Sequence, residues 1–109
     1  MDLLQELWKI NELLTKALGE YKQRGREYAK AQRDYRVLLR QTILRLRADG
    51  TAVTIISDLA RGDEKVAEAK EQEVITETLY KSCQEAINVY KMQMRLLQEQ
   101  INKEYTNGG

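Results

Sequence analysis

Apolar side chains in the first part of the chain recur at Leu3, Leu7, Ile10, Leu14, Ala17/Leu18, Tyr21, Gly25, Tyr28, Ala31, Tyr35, Leu38/Leu39, Thr42/Ile43 and Leu46. Steps of three and four place all of these on one face of a helix and on no single face of a strand. Leu7, Leu14, Tyr21, Tyr28 and Tyr35 also stand seven residues apart, which makes the stripe a heptad seam. The pattern predicts a helix over 2–48, about 65 to 70 Å long at roughly 1.5 Å per residue. Asp49-Gly50 breaks it, because glycine takes the left-handed conformation that closes a helix C-terminus. Thr51 is then the expected cap of a short helix over 51–61, with Val53, Ile56 and Leu59 as its apolar positions and Gly62 just beyond. Asp63 reads as the N-cap of a last helix over 63–105, followed by a frayed tail, 106–109. The last seam runs Val66, Ala69, Thr76, Tyr80, Cys83, Ile87, Tyr90, Met94, Leu97 and Ile101, with Glu73 as its polar interruption.

Two long seams joined by a short connector have only each other to pack against. The expected fold is all-α: residues 1–109 as one domain, a long antiparallel helical hairpin with a short helix at the tip. Centring the tip near Ile56 makes residue i face about 112 minus i. Tyr28 is then expected near Cys83, Tyr21 near Tyr90 and Met94, and Leu7 and Trp8 near Ile101 and Tyr105. The ends carry more apolar surface than one partner helix covers. Leu7, Trp8, Leu14, Met94, Leu97 and Ile101 are therefore the expected oligomer interface, joining hairpins into an oligomeric helical bundle, a dimer first.

Composition supports long amphipathic helices: there is no proline or phenylalanine, and 32% of residues are charged against 42% hydrophobic. No apolar run has the eighteen or so residues of a membrane span, and the opening MDLLQELWKI lacks a signal-peptide core, so a soluble intracellular protein with no membrane partner is expected. The single cysteine, Cys83, has no internal disulfide partner. Net charge is +1 but is unevenly spread. Residues 20–47 hold nine basic and three acidic side chains, whereas 58–77 hold three basic and seven acidic. Cross-helix pairs of Arg36, Arg40 and Arg45 with Glu73, Glu71 and Glu68 would set the register. A basic face left over by those pairs would suit phosphates.

Between Tyr21 and Tyr35 the seam becomes lighter and more polar. Gly25 there marks either a close helix approach or room for a ligand. In the ligand reading, Tyr21, Tyr28 and Tyr35 are stacking faces, and Arg24, Arg33 and Arg36 bind the anion of a nucleotide. The connector has two readings as well: a plug in the end of the bundle, or a knob of Ile55 and Ile56 rimmed by Arg61 that docks on another protein. Catalysis is not expected, since the chain has no histidine and Cys83 has no evident activator. No cofactor or metal is expected either, because the carboxylates at Glu64, Glu68 and Glu71, and at Glu73 and Glu77, read as solvated charge.

The stretch Ile56-Ser57-Asp58-Leu59-Ala60-Arg61-Gly62-Asp63, followed by Ala86-Ile87-Asn88-Val89 and Met94-Arg95-Leu96-Leu97-Gln98-Glu99-Gln100-Ile101, resembles small helical proteins of tailed phages and prophages of Gram-positive bacteria. The resemblance covers the second half of the chain and carries over no functional residue. It implies a non-enzymatic phage accessory protein in the host cytoplasm, acting by occupancy against a host defence system. Such a protein blocks a host protein or sequesters a signalling nucleotide. The alternatives are a DNA replication or recombination accessory, binding nucleic acid through the basic face of the first helix, and a structural assembly protein.

Overall fold

The computed structural model describes residues 2–107, and every regular element among them is helical: α1 (Leu3–Ala48), α2 (Val53–Gly62) and α3 (Glu64–Asn107). Asp2 starts α1 by accepting the Leu4 amide on Oδ1 at 3.1 Å. At the other end Gly50 has a φ of 82°, the one positive value among the described residues. The Thr51 amide returns to the Leu46 carbonyl at 3.0 Å and the Gly50 amide to that of Arg47 at 3.1 Å, which is a Schellman closure. This use of Thr51 corrects its expected role. Its amide finishes α1, and α2 begins two residues later behind Ala52, with no side-chain cap. Asp63 does cap α3, its Oδ1 accepting the Lys65 and Val66 amides at 3.0 and 3.3 Å. Those two donors, the Val66 amide first, hold its carboxyl below the usual carboxylate range. α3 continues through Thr106 and Asn107, and Thr106 Oγ1 donates to the Asn102 carbonyl at 2.9 Å. Gly108 and Gly109 lie outside the described residues.

The chain divides into two compact units: a terminal unit of Met1–Gln23 with Lys81–Gly109, and a central unit of Arg24–Tyr80. In the central unit α1 and α3 run antiparallel. The Tyr28 hydroxyl donates to Glu77 Oε2 at 2.7 Å, Lys70 Nζ sits 4.9 Å from the Tyr35 ring centre, and a Cβ on Gly25 would lie 3.2 Å from the Tyr80 ring. In each pair residue i meets 105 minus i, which differs from the expected register by seven residues, one heptad. A slip of one heptad keeps the same faces together, so seam periodicity does not distinguish the two registers. The gap at Gly25, filled by Tyr80, and the Tyr28–Glu77 bond do. Tyr28 accordingly meets Glu77 and Tyr80, with ring centres 5.9 Å apart in the latter pair, and not Cys83.

The core of the central unit is built from small side chains. Ala31, Thr42, Ile56, Ala60, Val66 and Thr76 are buried, with Ala60 and Val66 fully so. Removing Val66 from water stabilises the unit by about 1.5 to 3 kcal/mol. Thr42 and Thr76 satisfy their hydroxyls one turn back, on the carbonyls of Leu38 and Gln72 at 2.9 and 2.8 Å. In the terminal unit Ala17 and Ile87 are buried, and the Cys83 thiol donates to the Ala17 carbonyl at 3.3 Å. Leu7, Leu14, Met94, Leu97 and Ile101 are half-buried along this unit's own seam. Trp8 and Tyr105 stay 71% and 81% exposed, so the expected contacts of Trp8 with Ile101 and Tyr105 do not bury these rings. No helix among the described residues is long and apolar enough to cross a membrane.

Candidate functional site

On the central unit the last four turns of α1 carry two kinds of side chain on adjoining stripes. Leu39 and Ile43 lie beside the seam, and Arg36, Arg40 and Arg47 flank them at steps of four and seven. Arg61 from α2 and Glu73 from α3 complete the wall. Together with Gln32, Tyr35, Val37 and Leu44 they line an open cavity of about 700 Å³. Its lining is mostly apolar, and four arginines contribute to it. Among the described residues none of those four lies within 4 Å of a carboxylate; the cross-helix pair that does form is Arg45 with Asp63, at 3.4 Å. The expected pairs of Arg36 with Glu73 and Arg40 with Glu71 do not form: the register slip sets the arginines level with 69 and 65, Glu73 takes Lys70, and Glu71 is exposed. Their cationic surface is therefore left for another anion.

Glu73 is the second unusual member. Its side chain is 13% exposed and Oε1 takes Lys70 Nζ at 3.5 Å, while Oε2 is buried with no hydrogen-bond partner. Lys70 also covers the Tyr35 ring, so one ammonium holds both an aromatic face and a carboxylate.

Of the side chains singled out from the sequence, Tyr35, Arg36 and Arg61 meet at this cavity. Arg24 is paired with Glu27 at 3.4 Å, Arg33 with Asp34 at 3.5 Å, and the Tyr28 hydroxyl is bound to Glu77. Tyr21 belongs to the terminal unit. Gly25 opens no ligand space, since the Tyr80 ring stands against it. At the connector Ile56 is buried and plugs the fold, whereas Ile55 remains 49% exposed. Of the two isoleucines expected to form a docking knob only Ile55 is exposed, and Arg61 lines the cavity. Sequence reasoning placed Arg40 with Arg36 on a basic face for phosphates but missed Gln32, Val37, Leu39, Ile43, Leu44, Arg47 and Glu73 as wall residues. The signal available was Arg36, Arg40, Ile43 and Arg47, spaced four, three and four on one face next to the seam.

The terminal unit carries a smaller groove of about 420 Å³, lined by Glu6, Lys9, Ile10, Leu13, Gln93, Leu96 and Leu97. No group of three or more acidic or thiol side chains converges on a metal position among the described residues.

Fold and site define an all-helical protein with an open, largely apolar cavity lined by four arginines. No protein-family model, no curated protein and no solved structure matches the chain.

Proposed function

We propose that the protein acts by binding and not by turnover, and that the arginine cavity of the central unit takes a phosphate-bearing nucleotide. The observation that carries this is four arginines lining one cavity, none of them within 4 Å of a carboxylate among the described residues. Guanidinium forks match phosphate oxygens two at a time, and a cavity of about 700 Å³ falls in the size range of small-ligand sites. Val37, Leu39, Ile43 and Leu44 supply apolar area for a base or sugar, and Tyr35 an aromatic edge. With the resemblance to phage proteins, sequestration of a signalling nucleotide of host defence is the reading we favour. Isothermal titration with mono- and dinucleotides tests it. Micromolar binding is expected, weakened at least tenfold by Arg40→Glu and unchanged by Arg33→Ala. A melting temperature unmoved by millimolar nucleotide sinks the reading, because a ligand at a hundred times its Kd stabilises by about 2.7 kcal/mol.

The helical hairpin is proposed to assemble into a bundle through its terminal unit. Support comes from the groove beside Leu13 and Leu96, and from Leu4, Trp8, Leu18, Val89 and Met92, all of which are exposed. Sedimentation of the wild type is expected to give a dimer or larger species, and Leu13→Glu with Leu96→Glu a folded monomer. A wild type that remains monomeric at about 100 µM counts against assembly.

A further inference from the structure

Resting on the nucleotide reading above, we infer that the arginine cavity selects guanine over adenine through the carboxylate of Glu73. Two observations on opposite chemical groups meet in this one cavity. Arg36, Arg40, Arg47 and Arg61 lack an anion, and Glu73 Oε2 lacks a donor, yet none of the four guanidinium groups comes within 4 Å of Glu73. A buried carboxylate oxygen without a donor is costly and rare in folded proteins. The cavity therefore leaves two demands unmet, one for negative charge and one for N–H groups, and a ligand that answers both must carry both.

An ionised carboxylate only accepts hydrogen bonds, so the group it recognises must present donors. Guanine offers N1–H and the N2 amino group side by side on its Watson–Crick edge, a pair of donors that matches two carboxylate oxygens. Adenine offers on the same edge one amino donor beside the N1 acceptor, whose lone pair faces the carboxylate and is repelled. Lys70 now does part of the base's work, since its ammonium donates to Glu73 Oε1 and covers the Tyr35 ring 4.9 Å away. Lys70 is not itself part of the cavity wall, whereas Tyr35 and Glu73 both are. A guanine ring beside Tyr35 reaches Glu73 from the cavity side, parting the side chains that close over Oε2, and its phosphates extend toward the arginines on α1 and α2.

Titration calorimetry of the full chain with GDP, ADP and inorganic phosphate tests this. GDP is expected to bind at least tenfold more tightly than ADP. Glu73→Gln, its fold checked by circular dichroism and melting temperature, is expected to lose that preference while keeping its affinity for ADP, because an amide presents a donor where the carboxylate only accepts. Glu73→Asp, which keeps the carboxylate, should retain a reduced preference. Equal binding of GDP and ADP by the wild type, or a preference unchanged in Glu73→Gln, overturns guanine selection and leaves the nucleotide reading standing. Failure of all three probes to bind overturns both.

Discussion

Tyr28 shows how one polar contact on the seam ties local chemistry to stability. Its hydroxyl donates to Glu77 Oε2 at 2.7 Å, and this bond, reinforced by partial burial and the negative charges of Glu77 and Glu73, raises the phenol above its ordinary value of 10.0. The folded protein thus keeps a proton that the unfolded chain gives up near pH 10. The contribution is intact below about pH 10 and is lost as the pH climbs through the raised folded value. The melting temperature of the wild type is expected to fall more steeply than that of Tyr28→Phe across that window. Parallel curves for the two proteins would mean that the bond does not couple to folding. Asp34 shows the opposite shift, its carboxyl lowered chiefly by the hydrogen bond from Lys30 one turn away, at 2.8 Å. At this scale the sequence was informative about Cys83, Asp63 and Gly50, whose roles follow from residue type and a place on a seam or at a helix end. It was silent about Glu73, which reads as a flaw in an apolar stripe until the cavity behind it is seen.

Between residues and molecule, the elements were the most legible part of the protein. Every position assigned to the two long seams is buried or half-buried except Leu18, which is exposed, and the helix ends fall within two residues of those expected. Hydrophobic period carries that information directly, since it records which face meets a neighbour. Register was not legible, because a repeat of seven is blind to shifts of seven. What sets it is a handful of unequal partners: a glycine that admits a tyrosine, a phenol that finds a carboxylate, and a lysine that covers a ring. The same slip explains why the cavity was only partly foreseen. Tyr35, Arg36 and Arg61 were in hand, but with α1 and α3 paired seven residues differently, Arg36 and Arg40 had seemed neutralised by Glu73 and Glu71.

For the whole molecule, a net charge of +1 conceals one basic and one acidic stretch, and the few cross-helix pairs leave much of both unspent. The two compact units differ in how the chain builds them. The central one uses the continuous stretch Arg24–Tyr80, whereas the terminal one joins the two ends of the chain. Contacts are correspondingly nested: 18 residues separate Arg45 from Asp63, 49 separate Tyr28 from Glu77, and 66 separate Ala17 from Cys83. Closing the widest of these directly costs about 1 kcal/mol more than closing the narrowest, by the logarithmic growth of loop entropy. Once the inner contacts have formed, each outer one spans only a short remaining gap. Folding is thus expected to zip outward from the Gly50 turn, and pulse-labelled hydrogen exchange should protect amides near 40 before those near 10; the reverse order would refute it. A nascent chain leaving the ribosome would then complete its arginine-lined cavity while its two terminal segments are still apart. The groove beside Leu13 and Leu96 would exist only after the last helix is made, because α3 supplies one of its walls.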